Sequence, residues 1–337
     1  MESAVRLVDQ YRGGRLENIH FGHICGVDEK GEIIFSAGDP EWVAFMRSSA
    51  KPFQAIPEFI QGIPDKYRFT DKEKTIMTAS HRAEAYHVEA LQAMLDKLGL
   101  CEEQLICAQT YPLSPQARDE LVTGHKPKRR IYHNCSGKHL GILALSKEKG
   151  YPLEGYGEPA HPAQAEVLDI VAYMSDFPAQ NIHISVDGCG FPVYALPLKH
   201  IASMYLKLAC PDLIGRAEVR SAAGEVSRLM NDHSEMVSAP WFICSTLLRD
   251  PNIVAKGGAK GIYSFGLRKE RMAFALKVLD GSEEPWPIIV ASILEQIGYD
   301  NQDTIDRMHA LTPKELRNDS GRMVGEHKAV FKLHRNG

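Results

Sequence analysis

No stretch of this chain approaches the roughly 20 apolar residues that a membrane-crossing helix needs. Its first residues, MESAVRLVDQYRGG, are polar and amphipathic and lack the apolar core of an export signal. A cytoplasmic location is therefore expected. Neither sign of charge is blocked along the chain: 39 Lys+Arg stand against 43 Asp+Glu, a formal net charge of −4. No basic stripe with interleaved aromatics occurs, which argues against nucleic acid as a partner. The one basic cluster, HKPKRR at 125–130, is short and reads as a solvated turn. C-x-x-C and H-x-x-x-H spacings are absent, as are repeats and low-complexity tracts. The cysteines number seven, an odd count without tight spacing. In a reducing compartment each is then packing, metal ligand or reactive thiol. What is present is ordinary for a globular protein: 337 residues, 44% apolar, enough for one large domain or two closely packed ones.

Residues 15–37 alternate in two short apolar stretches around DEKG, the pattern of a β-hairpin. SAKPFQAIPEFIQG repeats Phe53, Ile56, Phe59 and Ile60 at helical spacing. Pro52 suits a first helical turn, and Pro57 bends or ends the helix. TDKEKTIMTASH predicts a capped helix with an acidic first turn. EAYHVEALQAMLDKLGL and AQAEVLDIVAYMSDF predict amphipathic helices, EEPWPIIVASILEQIG predicts a helix, and SGKHLGILALSKEKG a helix from about Ser136 to Gly150. NIHISVDGCGFPVYALPL, NIVAKGGAKGIYSFGL and RMAFALKVLDG predict strands with Gly-rich connections. This order implies an α+β fold in which N- and C-terminal strands share one antiparallel sheet flanked by helices. The sheet lobe is expected over 1–47 and 250–337, and a helical or mixed lobe over 48–249, as one catalytic unit.

RSSAKPFQ at 47–54 raises the first chemical question. S-x-x-K puts two side chains one helical turn apart. Ser48 and Lys51 have that spacing; Ser49 does not. A serine in a first turn feels the positive helix end, and a desolvated lysine can take its proton. The spacing alone is weak, since about one S-x-x-K is expected by chance in a chain of this length. A second copy, Ser146 with Lys149, lies at a helix end among charges and reads as solvated surface. Two readings of Ser48 therefore stand, helix cap and nucleophile. Hydrolases built on S-x-x-K also use a further serine on a helical lobe and a lysine in K-[ST]-G. MTASHRAE supplies Ser80 after a helix, and VAKGGAKG supplies Lys256 before two glycines, with Lys260 as its competitor.

YHNCSGKHLG places Cys135, Lys138 and His139 at a helix start, and SVDGCGFP places Asp187 and Cys189 in a Gly-rich strand end. Thiolates are favoured at helix N-termini and bind Zn²⁺. The plain reading is also open: two unrelated cysteines, a packing histidine and an aspartate capping a turn.

RSSAKPFQ, ASHRAE, HNCSGKHLGIL, DGCGFPVYALP and AKGGAKG together resemble the Rhizobium-type (class 3) L-asparaginase II family, in the same order and over nearly the whole chain. The resemblance implies a fold related to serine β-lactamases, penicillin-binding proteins and glutaminases. It implies hydrolysis of L-asparagine to L-aspartate and ammonia through a Ser-linked acyl-enzyme. Ser48 is then the nucleophile, Lys51 its base, and Ser80 with Lys256 a second serine–lysine pair. Cys135, Lys138 and Cys189 are implied as ligands of Zn²⁺, which the chemistry does not strictly require. Arg47, His139 and Asp187 are implied near the substrate, and a homodimer is implied. Members of that family carry Glu where this chain has Lys260, a charge reversal that bears on substrate preference. Glutaminase or another amidohydrolase activity, and a non-catalytic zinc-binding protein, are the alternatives.

Overall fold

The computed structural model describes residues 3–336. Its strands are β1 Val5–Arg12, β2 Arg15–Val27, β3 Ile33–Ala37, β4 Val43–Phe45, β5 His183–Val186 and β6 Pro192–Pro197. They continue as β7 Ile253–Gly258, β8 Ile262–Leu267, β9 Met272–Val278, β10 Glu315–Arg317, β11 Met323–Ala329 and β12 His334–Arg335. The chain divides into two compact units: residues 1–49, 196–209 and 241–337, and residues 50–195 with 210–240.

The first unit is built on a nine-stranded antiparallel sheet, ordered β10-β11-β1-β2-β9-β8-β7, with β3 branching from β2 and pairing β12. N- and C-terminal strands thus share one sheet, as the α+β reading expects. The β2–β3 turn forms because the Asp28 carboxylate accepts the N–H groups of Lys30 and Glu32, while Gly31 takes φ +77°. Strands β7 and β8 are buried along their whole length, so they read as continuous apolar runs. Helix Leu198–Ala209 packs on β8 and β9. Its backbone comes so close that a Cβ on Gly266 would sit 2.4 Å from the Tyr205 carbonyl oxygen. The start of β7 is pinned by Asp250, whose Oδ2 accepts from Tyr299 (2.7 Å), Asn301 (2.9 Å) and Thr304 (2.7 Å).

The second unit is mainly helical. Thr70 and Glu73 close a capping box on helix Asp71–Ile76, as TDKEK predicts. Helices Ala85–Leu98 and Pro162–Ser175 follow their apolar periodicity, and helix Ser136–Lys149 forms where SGKHLGILALSKEKG predicts it. Helix Ser136–Lys149 is buried from Ser136 through Ser146 and packs against helices 56–60, 71–76, 85–98 and 162–175. Helix Ala217–Asp232 packs on 56–60 and 71–76, and β5 pairs β6 antiparallel.

Three features differ from the sequence reading. The N-terminal stretch forms strand β1, hidden from pattern reading because Asp9, 1% exposed, breaks the alternation. Asp9 is buried because it accepts from the Arg6 Nε (3.0 Å) and the Tyr11 hydroxyl (3.1 Å). Ser146 is fully buried rather than solvated, its hydroxyl donating to the Ile142 carbonyl at 2.9 Å. Residues 196–209 and 241–249 cluster with the sheet instead of the helical lobe, because helices 198–209 and 243–248 pack on its strands. No helix among the described residues is long and apolar enough to cross a membrane.

Candidate active site

The stretch at 47–54 folds as a tight turn, Arg47–Ala50, running directly into helix Lys51–Gln54. Pro52 sits in the first helical turn, and a second short helix, Ile56–Ile60, begins after a break at Ala55. Arg47 takes φ +50°, a strained value for a non-glycine residue, immediately before Ser48. Ser48 is half-buried. Ser49 is fully buried and its hydroxyl donates to the Met46 carbonyl at 2.7 Å, so it is a structural residue of the turn.

In the sheet unit the end of β7 lies against this turn. A Cβ on Gly258 would sit 2.4 Å from the Met46 carbonyl oxygen and 3.0 Å from Arg47 Cβ. Only glycine permits that approach. The buried Tyr205 hydroxyl donates to the Ser49 carbonyl (2.7 Å) and lies 3.4 Å from that of Lys256. Lys256 is 1% exposed, on β7 as predicted, with Nζ donating to the Gly257 carbonyl at 2.8 Å. Lys260 lies in the exposed β7–β8 turn at φ +67°.

The helical unit gathers the remaining residues. Lys51 is 1% exposed. Its Nζ donates to the Ala79 carbonyl (2.6 Å), the Ser80 hydroxyl (3.1 Å) and the Asn134 carbonyl (3.2 Å). Burial pushes the Lys51 pKa down, the Cys135 charge opposes this, and Lys138 reinforces it. Ser80 is held by its N–H donating to the Val237 carbonyl (2.9 Å). His81, beside it, was not singled out from sequence. Its Nδ1 accepts the Ala83 N–H (3.1 Å), so Nε2 carries the proton and donates to Ser136 Oγ (2.9 Å). Segments 79–83 and 131–136 are thereby tied twice, through Lys51 and through His81.

Cys135 precedes helix Ser136–Lys149, with its N–H donating to His133 Nδ1 (3.1 Å). Lys138, 5% exposed, places Nζ 3.3 Å from Cys189 Sγ and 4.2 Å from the centre of the Phe191 ring. The Cys135 thiol is held well below the usual range by a hydrogen bond from Cys189, with Lys51 and Lys138 adding to the effect against burial. Cys189 is raised in turn, because it donates to Cys135. Burial opposes the Lys138 charge, but Cys189 and Cys135 hold its pKa up. The cluster therefore couples three titratable groups, two thiols and an amine, through hydrogen bonding and charge. Its donor set, two sulfurs and one nitrogen on buried side chains, suits zinc chemically. Among the described residues, no group of three His, Cys, Asp or Glu is placed to hold a metal ion.

His139 is fully buried, its Nδ1 2.7 Å from the Tyr156 hydroxyl and its ring 4.1 Å from that of Phe191. Burial pushes it down to about 4. Asp187 is half-buried in the turn that presents Cys189, accepting the Gly190 N–H through its carbonyl and the Gly188 N–H through Oδ1. Of the residues expected from sequence, the helical unit thus brings together Lys51, Ser80, Cys135, Lys138, Cys189 and His139. The sheet unit brings Arg47 and Ser48 beside the strand of Lys256.

The sequence model of the L-asparaginase II family matches residues 8–329. The chain belongs to the L-asparaginase II family. That family is one of amidohydrolases. No curated protein sequence matches the chain. Among solved structures it is similar to Mglu in its Tris and glutamate form, at 14% identity and TM-score 0.47, covering 87% of this chain and 63% of that one. It is also similar to a β-lactamase from Mycobacterium bovis (12% identity, 81% and 94% coverage, TM-score 0.39). A Bacillus glutaminase is similar too (14%, 82% and 91%, TM-score 0.39).

Proposed function

We propose that the chain hydrolyses the side-chain amide of L-asparagine to L-aspartate and ammonia, with Ser48 as nucleophile. The observation that carries this reading is Lys51. It is a buried amine with a lowered pKa, three residues after Ser48 on one continuous helical run, and its Nζ is 3.1 Å from Ser80 Oγ. A lysine that burial drives toward the neutral form is suited to take a serine proton.

In the proposed sequence Lys51 accepts the Ser48 proton as the serine oxygen bonds to the amide carbon. Backbone N–H groups, that of Ser48 included, stabilise the oxyanion. The C–N bond then breaks, and the departing nitrogen takes a proton relayed from Lys51 through Ser80. Water attacks the resulting ester, aspartate leaves, and Ser48 regains its proton. Lys256, buried on β7 of the sheet unit, is proposed as a further catalytic amine. Arg47, His139 and Asp187 are proposed as the residues near the substrate, which has both a carboxylate and an ammonium to satisfy.

Cys135, Lys138 and Cys189 are proposed to hold Zn²⁺, with Lys138 giving up its proton on binding. Bound zinc would supply a fixed positive charge that orients the substrate. A homodimer in the cytoplasm is part of the proposal and is read by sedimentation and fractionation.

Ammonia release from asparagine and from glutamine, each with and without a chelator, tests the reading. Asparagine is expected to be turned over faster than glutamine, with the chelator slowing but not abolishing the reaction. No ammonia from either amide, with zinc retained, overturns it in favour of a binding protein.

A further inference from the structure

One side chain of the sheet unit touches both the turn of Ser48 and the strand of Lys256, and the scheme above gives it no role. It is Tyr205, on helix Leu198–Ala209. Residues 47–49, β7 and that helix belong to one compact unit. Tyr205 is fully buried, and its hydroxyl donates to the Ser49 carbonyl at 2.7 Å and stands 3.4 Å from the Lys256 carbonyl. Burial pushes its pKa well above the ordinary value, so the phenol stays protonated and remains a donor. A bonded hydroxyl in the interior fixes direction as well as filling space.

The segments around it are fixed from other sides. The Met46 carbonyl, at the entry to the turn, accepts the Ser49 N–H (3.0 Å) and the Ser49 hydroxyl (2.7 Å). Strand β7 presses on the same oxygen at Gly258, whose Cβ would lie 2.4 Å from it. After Lys256, the Gly257 N–H donates to Cys244 Sγ at 3.2 Å, and a Cβ on Gly257 would meet Tyr263 at 2.9 Å and Trp286 at 3.0 Å. Tyr205 cannot withdraw, because its own backbone lies directly on β8 at Gly266. Ser48 is thus held between a stop at Met46 and a hydrogen bond at Ser49, in a turn that begins at the strained φ of Arg47. Such a turn keeps its shape only while its surroundings over-determine it.

We propose that Tyr205 is a positioning residue for the nucleophile: its hydroxyl holds the turn of Ser48 at a fixed separation from the strand of Lys256, so that the serine is presented in one orientation. The role rests on the Ser48 reading. It acts through the main chain of Ser49 and Lys256, so its loss slows attack on the amide and leaves substrate binding in place. A misplacement of about 1 Å costs on the order of 10² in rate.

The test compares Tyr205→Phe with Leu208→Ala, a buried residue of the same helix outside the turn and the strand. Ammonia release from asparagine and glutamine and unfolding in urea are measured for both, beside wild type and Ser48→Ala. Tyr205→Phe keeps the ring volume and therefore the fold. Its kcat on the faster amide is expected to fall by about 10- to 100-fold, with KM within about 2-fold of wild type. Leu208→Ala opens a cavity and should lose more stability, yet keep most of its kcat. Wild-type kcat in Tyr205→Phe, or a loss of kcat that follows the loss of stability across both variants, overturns the positioning role alone, provided Ser48→Ala is inactive. Equal release by Ser48→Ala and wild type, or no release by wild type, overturns the Ser48 reading and the role with it.

Discussion

The two units hold chemistry in different ways. In the helical unit, reactive groups are side chains locked by burial: Lys51, Lys138, Cys135 and Cys189 are all 6% exposed or less. Their protonation is set by lost solvation and by one another. In the sheet unit, Ser48 lies on a turn whose neighbours are backbone, brought close by Gly258 and by the strained Arg47. The comparison teaches that the titration of buried side chains here is a property of helix packing, and the placement of Ser48 a property of strand and turn geometry. Substitutions in the two units should accordingly fail differently.

The largest effect is expected at Ser48. Ser48→Ala should reduce ammonia release by more than ~10³-fold, with an unchanged circular dichroism spectrum and metal content. Next is Lys51→Met, with a loss of about 10³-fold together with a fall of roughly 1–3 kcal/mol in stability, measured by urea unfolding. The stability loss arises because the Ala79 and Asn134 carbonyls lose their donor in a buried place. A Lys51→Met protein as stable and as active as wild type would break the contrast between units. Third, Cys135→Ser and Cys189→Ser should each remove bound zinc, read by metal analysis, and lower turnover less than either change above. Fourth, His87 is lowered to about 4 by burial, while its Nδ1 accepts the Glu84 N–H and its Nε2 donates to the Glu235 carbonyl. Its neutral form is the folded one, so its contribution is fully present above pH ~6.5 and is lost as pH falls toward 4. That is at most about 3 kcal/mol. His87→Gln should flatten this part of the pH–stability curve. The smallest effect is expected at Ser49→Ala, which removes one hydrogen bond to Met46 and should retain most activity.

Much of the fold was legible because periodicity and burial agree, as in helices 85–98 and 162–175, and because turn residues punctuate the chain, as in the β2–β3 hairpin. Helix Pro115–Thr123 buries no residue, so it offers no apolar stripe to read. Helix Leu198–Ala209 follows the strand PVYALP without a polar break, which hid its start at Leu198. The candidate site was legible where the chemistry is spaced along the chain, as with Ser48 and Lys51. It was not legible where the fold creates it. Ser146 has the same spacing to Lys149, yet a hydrogen bond to its own helix buries it. His81 and Tyr205 gain meaning only from the partners that packing supplies, Ser136 for the first and Ser49 for the second.

The most direct test of the central claim is ammonia release from L-asparagine by the wild-type protein and by Ser48→Ala, with both shown to be folded. Sustained release by the wild type and none above background by the variant is the predicted result. Equal release by the two proteins would contradict it.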